Sequence, residues 1–199
     1  MTLIPDFFED LDGRWGPPTG VKIPLRIIGS SALMLQTGYE RGTKDSDVLE
    51  TAAITVAVKA RLLALGGEGT DLHRRHRLYV EVVGNGIPFL PQRALYHPQT
   101  ELNARLRNFD LEVLDVVDVV VSKLKRFHAD DRGDIEAMVD LEIVPHARLV
   151  ARFREAVDIF LGDARAADLP RYWRNLNTVE RDFLRVPETE EDLPEYIDR

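Results

Sequence analysis

The stretch Leu25-Arg26-Ile27-Ile28-Gly29-Ser30-Ser31-Ala32-Leu33-Met34-Leu35-Gln36 reads as strand, turn and helix in immediate succession. The apolar run 25–28 stops at Gly29, the two serines lead into helix-forming residues, and Gly38 closes the helix they start. A glycine at such a turn lets a ligand approach the backbone, and the helix start offers N–H groups to a phosphate. Ser30 and Ser31 also suit an ordinary helix cap, so the turn has a structural reading beside the functional one.

Directly downstream, Thr43 to Leu49 reads as a second strand carrying Asp45-Ser46-Asp47. Strand alternation points both carboxylates to one face and Ser46 to the other. Two anions held that close repel unless a cation lies between them. Magnesium or manganese suits the arrangement, because hard divalent ions take oxygen ligands and combine carboxylates with substrate phosphates. An Asp-x-Asp pair alone also describes a plain polar strand edge; the glycine turn upstream is what gives it weight.

Further elements follow on either side. A helix is expected from about Glu50 to Leu65, stopped by Gly66-Gly67, and strands at Arg77 to Val83 and Phe109 to Leu114. From Val116 the period becomes helical, and after Asp131 the chain reads as almost wholly helical, interrupted near Pro145 and Pro170. The expected class is α+β, a mixed β-sheet flanked by helices with a helical C-terminal part. Residues 1–20, ending in the turn formers Gly16-Pro17-Pro18-Thr19-Gly20, read as an N-terminal arm. Residues 21–140 read as the core, and 141–199 as a helical extension with an acidic tail.

Composition removes several classes. The 199 residues contain no cysteine, which excludes disulfides, zinc-thiolate sites and thiol nucleophiles. A formal charge of -8 argues against a general nucleic-acid binder, since phosphate neutralisation needs clustered Lys and Arg. The acidic N-terminus lacks a signal-peptide pattern and no stretch reaches the roughly 18 apolar residues of a membrane span, so a cytoplasmic protein is expected. The five histidines show no metal spacing. Arg74-Arg75-His76-Arg77 is a basic cluster that suits either an RNA phosphate or a solvated turn.

One cation is out of place. Val116, Val117, Val119, Val120, Val121, Leu124 and Phe127 form one broad apolar helix face, and Lys123 projects inside it while Lys125 and Arg126 point away. A lysine there needs an anionic partner or must snorkel to water. Its functional reading is contact with a bound anion, stabilising charge that develops there. Asp131 and Asp134 downstream suit the first turn of a helix.

The run Ile28-Gly29-Ser30-Ser31-Ala32-Leu33 with Gly38, Arg41, Thr43 and Asp45-Ser46-Asp47 resembles the polymerase-beta-type nucleotidyltransferase signature. It looks most like the minimal AbiEii-like forms of toxin-antitoxin and abortive-infection systems. Asp118 to Phe127, followed by Asp131-Arg132-Gly133-Asp134-Ile135, is similar to that group's downstream block of a helical lysine and an Arg-Asp pair. The order Asp-Arg here leaves Asp130 and Asp131 both open. Ser46 departs from the usual apolar residue between the aspartates. The resemblance spans about residues 25–140.

The resemblance implies a nucleotidyltransferase-type sheet and a metal-dependent transfer of a nucleoside monophosphate from a nucleoside triphosphate to a hydroxyl acceptor, such as a tRNA, a protein or a small molecule. It implies Asp45, Asp47, Lys123 and Asp131 as catalytic residues, with Asp131 orienting Lys123. Gly29, Ser30, Ser31, Arg41 and Lys123 become nucleotide contacts. The metal, magnesium or manganese, falls to Asp45, Asp47 and a third carboxylate, for which Glu81 is the candidate. A toxin role with a cognate antitoxin protein follows from the same likeness. The rival reading is a catalytically degenerate nucleotidyltransferase-fold binding module acting through a partner. A glycosyltransferase or aspartyl-phosphate phosphatase would leave the glycine turn or the residues after Asp47 unexplained.

Overall fold

The computed structural model describes residues 4–18, 20–162, 164–194 and 197. The first three residues of the expected arm and part of the expected acidic tail therefore lie outside the described residues. By internal contacts the chain divides into two units, Met1–Ile87 with Tyr96–Asp115, and Pro88–Leu95 with Val116–Arg199. The division falls at other positions than the expected boundaries after residues 20 and 140.

The first unit holds one mixed five-stranded sheet, as expected of the class. Its strands are β1 (Ile23–Ile28), β2 (Asp45–Leu49), β3 (Tyr79–Val83), β4 (Tyr96–Pro98) and β5 (Phe109–Leu114), in the order β3-β2-β1-β5-β4. β1 runs parallel to β5 and antiparallel to β2, while β2 runs parallel to β3 and β4 antiparallel to β5. Alternation decides the faces: Leu25, Ile27, Ser46, Val48, Val80, Leu111 and Val113 are buried, whereas Asp45, Asp47 and Glu81 lie on the other side of their strands.

Helices of this unit are α1 (Ile4–Trp15), α2 (Gly29–Thr37), α3 (Val56–Gly66), α4 (Asp71–His76) and α5 (Thr100–Arg105). α2 ends where Gly38 takes the left-handed conformation, φ 69°. The Thr55 and Thr70 side chains cap α3 and α4 by accepting from Val58 and His73 backbone N–H groups.

Residues 4–15 of the stretch read as an arm form α1. Ile4, Phe7, Phe8 and Leu11 recur at helical spacing and are all buried. Asp12, also buried, accepts from the backbone N–H groups of Arg107 and Asn108, at 2.7 Å for the latter. The helix therefore belongs to the first unit's core, and its signal was masked by the proline-glycine turn that follows it.

The second unit contains α6 (Val116–Lys123), α7 (Ala129–Asp140), α8 (His146–Phe160) and α9 (Leu169–Thr178), followed by a π-helical turn at Val179–Leu184. Pro145 precedes α8, whereas Pro170 stands in the first turn of α9 and so opens it. Phe89, Phe153, Phe160, Tyr172 and Trp173 form its aromatic core, with Phe89 and Phe160 rings 4.9 Å apart. Buried Asp118 accepts two 2.7 Å bonds from Arg152 and one from the Leu95 N–H, a fully engaged pair inside this core. No helix among the described residues is long and apolar enough to cross a membrane.

Candidate metal and nucleotide site

β2 supplies Asp45 and Asp47 to one sheet face, and parallel pairing sets Asp47 opposite Glu81 and Asp45 opposite Tyr79. Carboxylate oxygens of Asp45, Asp47 and Glu81 lie within 4.8 Å of one another, a spacing at which one cation can bridge all three. Asp45 and Asp47 are half-buried and Glu81 is exposed, so the cluster opens to solvent. Glu81 thus joins the paired aspartates through strand register.

Gly29 stands beside this cluster on the adjoining strand end, where Ile28 pairs with Asp47. It has φ +67°, and a Cβ built on it would come 2.8 Å from Asp47 Oδ2. The position therefore needs glycine twice over, for its backbone conformation and for room. The helix that starts here has Ile28 at its N-cap and no side-chain cap. The serines, read as capping candidates, are used otherwise. Ser31 is buried and donates to the Asp45 carbonyl at 3.1 Å, tying α2 to β2. Ser30 accepts from the Arg41 guanidinium at 2.9 Å. Thr43 Oγ1 donates to the Asp45 carbonyl at 3.1 Å and lies 3.3 Å from its carboxylate.

Tyr79 belongs to this face and was not singled out from the sequence. It sits two residues before Glu81, so alternation alone could have found it. Burial pushes its phenol up, and the negative field of Asp45, Glu68, Glu81 and Asp47 pushes it further. That field is what a bound cation would neutralise. Ser46, which departs from the resembled pattern, is wholly buried on the opposite face, and its hydroxyl has no hydrogen-bond partner among the described residues.

The second unit holds the other expected residues as a separate group. Lys123 Nζ is buried and lies 3.1 Å from Asp131 Oδ1 and 2.8 Å from Asp134 Oδ2. Arg126 clasps Asp131 through Nε at 2.8 Å and Nη2 at 2.9 Å, and the His128 N–H donates to the same carboxylate. Burial alone would raise the Asp131 carboxyl, but the Arg126 hydrogen bonds and the Lys123 charge outweigh it and hold it below the usual range. Asp131, not the exposed Asp130, is the residue that meets Lys123. Asp134 and Arg126 complete a group of two anions and two cations.

The basic cluster of α4 is engaged within the first unit. Arg75 and His76 meet Asp10 at 3.0 and 2.7 Å, and Arg74 pairs with Asp71.

A family model described as "Nucleotidyltransferase of unknown function (DUF6036)" matches residues 18–181. The chain belongs to this nucleotidyltransferase family. The match covers the glycine turn, the three carboxylates and the Lys123 group, and it continues past residue 140, where the sequence reading ended the core. Comparison with curated proteins and with solved structures finds no match. Membership is thus shown for nucleotidyltransferases at large and does not extend to the AbiEii-like subgroup.

Proposed function

We propose that the protein transfers a nucleoside monophosphate from a nucleoside triphosphate to a hydroxyl acceptor, using Asp45, Asp47 and Glu81 to hold magnesium or manganese. The observation that carries this is the convergence of the three carboxylates on one sheet face against the Gly29 backbone. The donor set fits the ion: three oxygen ligands close together, open on one side, leave positions for phosphate oxygens. A divalent ion bound there would polarise the α-phosphoryl group and offset charge on the departing pyrophosphate.

The chain's own residues supply the rest. Gly29, without a Cβ, lets the phosphates approach the first turn of α2, whose N–H groups carry partial positive charge. Ser30 is held by Arg41, so a phosphate meeting that serine also meets the guanidinium's field. Ser31 and Thr43 position Asp45 from its backbone and carboxylate. A Lys123 contact with the triphosphate, with Asp131 orienting the lysine, rests on the sequence resemblance alone; within the second unit its ammonium is held by Asp131 and Asp134. A tRNA, protein or small-molecule acceptor and a toxin role with an antitoxin partner rest on the sequence resemblance alone; residues 21–140 as a catalytic core, 141–199 as an extension and a cytoplasmic location rest on turn formers, periodicity and composition in the sequence.

The test is isothermal titration with a non-hydrolysable triphosphate, with and without manganese, beside transfer assays that supply labelled triphosphates, RNA and cell extract. Metal-dependent binding that disappears in Asp45→Asn/Asp47→Asn, with label transferred by the wild type alone, supports the reading. Wild-type protein that neither binds triphosphate nor transfers label under any metal condition overturns it.

A further inference from the structure

The first unit contains a cavity of about 410 Å³ that the proposed transfer does not use. Its volume lies within the range of small-molecule sites, about 300–1,000 Å³. Ile4 and Pro5 at the start of α1, Met34 and Leu35 on α2, and Leu78 before β3 give it an apolar wall. Met34 and Leu35 are only half-buried, although the helix that carries them packs on the sheet. The loop from Gly38 to Thr43 closes the other side and brings Tyr39, Arg41 and Thr43. Arg41 is the one cation among the lining residues; Glu40, the one carboxylate, is exposed.

Arg41 and Thr43 also touch the carboxylate site. Arg41 donates to Ser30 at the start of α2, and Thr43 lies 3.3 Å from the Asp45 carboxylate. A ligand in the cavity would therefore meet two side chains that also contact Ser30 and Asp45 of the proposed phosphate and metal site.

We propose that this cavity binds a small amphipathic anion, an apolar body carrying one carboxylate, sulfonate or phosphate head, and that its occupancy changes triphosphate binding through Arg41 and Thr43. The apolar body removes surface from water against Met34, Leu35 and Leu78. The head takes a charge-assisted bond from Arg41, the cation among the lining residues. The binding site stands by itself; the coupling rests on the proposed triphosphate site.

The probe is anilinonaphthalene sulfonate, an aromatic anion whose fluorescence rises in apolar surroundings, titrated into full-length protein, with octanoate as competitor. Saturable one-to-one binding, displaced by octanoate, is expected. Met34→Trp and Leu35→Trp, which fill the cavity from a helix surface, each weaken binding about tenfold or more, while Val56→Ser at an exposed apolar residue elsewhere leaves it unchanged. Arg41→Gln weakens the sulfonate but not the neutral N-phenylnaphthylamine. Circular dichroism establishes that each variant is folded.

Saturating probe shifts the manganese-dependent triphosphate Kd about fivefold or more, the lower range of allosteric couplings. Unsaturable binding, or equal affinity in both tryptophan variants and the wild type, overturns the cavity as a site. Probe binding with no change in the triphosphate Kd overturns the coupling. Asp45→Asn/Asp47→Asn separates this proposal from the transfer reading, because it removes triphosphate binding and leaves probe binding intact.

Discussion

Gly29, the first residue of α2, and Asp47 on β2 occupy adjoining space, so that a single added methyl group at the glycine would stand 2.8 Å from the aspartate's Oδ2. The turn that starts α2 and the carboxylate that faces it are therefore one structural unit. Gly29→Ala is expected to cost about 1–2 kcal/mol from the left-handed backbone alone. The methyl also displaces the Asp47 carboxylate, so manganese affinity falls about tenfold or more. Thermal melting and manganese titration of the variant read the two effects separately.

A metal ion held by Asp45, Asp47 and Glu81 is expected to stabilise the folded chain by mass action. Magnesium or manganese at about 100 times its Kd adds about 2.7 kcal/mol. In a protein of this size that raises Tm by roughly 5–10 °C, taking about 2–4 °C per kcal/mol. Chelator reverses the rise, and Asp45→Asn/Asp47→Asn shows none; calorimetric scans with and without metal make the comparison.

Lys123 is held between two buried carboxylates. Lys123→Met is expected to destabilise by about 3–5 kcal/mol, since it takes the ammonium away from two buried carboxylates, Asp131 and Asp134. Lys123→Met/Asp134→Leu recovers part of that loss by removing one of the two buried carboxylates. Urea unfolding of both variants, compared at unchanged m-value, decides it.

Acid sensitivity follows from Asp131. Its carboxyl is held below the usual range in the folded chain, so the folded state binds its proton more weakly than the unfolded state does. The resulting stability is fully present above the unfolded value of about 3.9 and is lost as pH falls through the folded value. Arg126→Gln removes two of the hydrogen bonds that lower this carboxyl. Between pH 5 and pH 2 the variant loses less stability than the wild type, because it starts with less; denaturant titrations across that window measure the difference.

Ser46 carries a buried hydroxyl with no partner among the described residues. Ser46→Ala is expected to raise stability by about 1 kcal/mol, as removing an unsatisfied buried group outweighs the small volume lost. Metal affinity stays unchanged, because the side chain lies on the sheet face opposite the carboxylates. A stability loss above about 1 kcal/mol would show that the hydroxyl is satisfied in solution.

Local signals are strongest where neighbouring residues answer to each other along the chain. The strand-turn-helix at 25–37, the alternation in Asp45-Ser46-Asp47, and the misplaced Lys123 are all legible in the amino-acid sequence, because each depends on the period of one element. α1 is legible too, as Ile4, Phe7, Phe8 and Leu11 repeat at helical spacing, but the turn formers after it draw the segment into an arm. α4, β4 and α5 are too short for a period to show; β4 has only three residues and exists by pairing with β5.

The sequence by itself determined the element types around the site and the identity of its central carboxylates, since alternation and glycine chemistry act within a few residues. Only the tertiary structure decided which distant groups complete it. Glu81 meets Asp47 because β2 and β3 pair in parallel in one register, and a shift of one residue would send Glu81 to the buried face. Asp131 rather than Asp130 meets Lys123 because α7 turns one of two adjacent carboxylates inward, and burial then selects the residue whose charge is compensated. Both outcomes depend on packing between elements, which no period along the chain encodes.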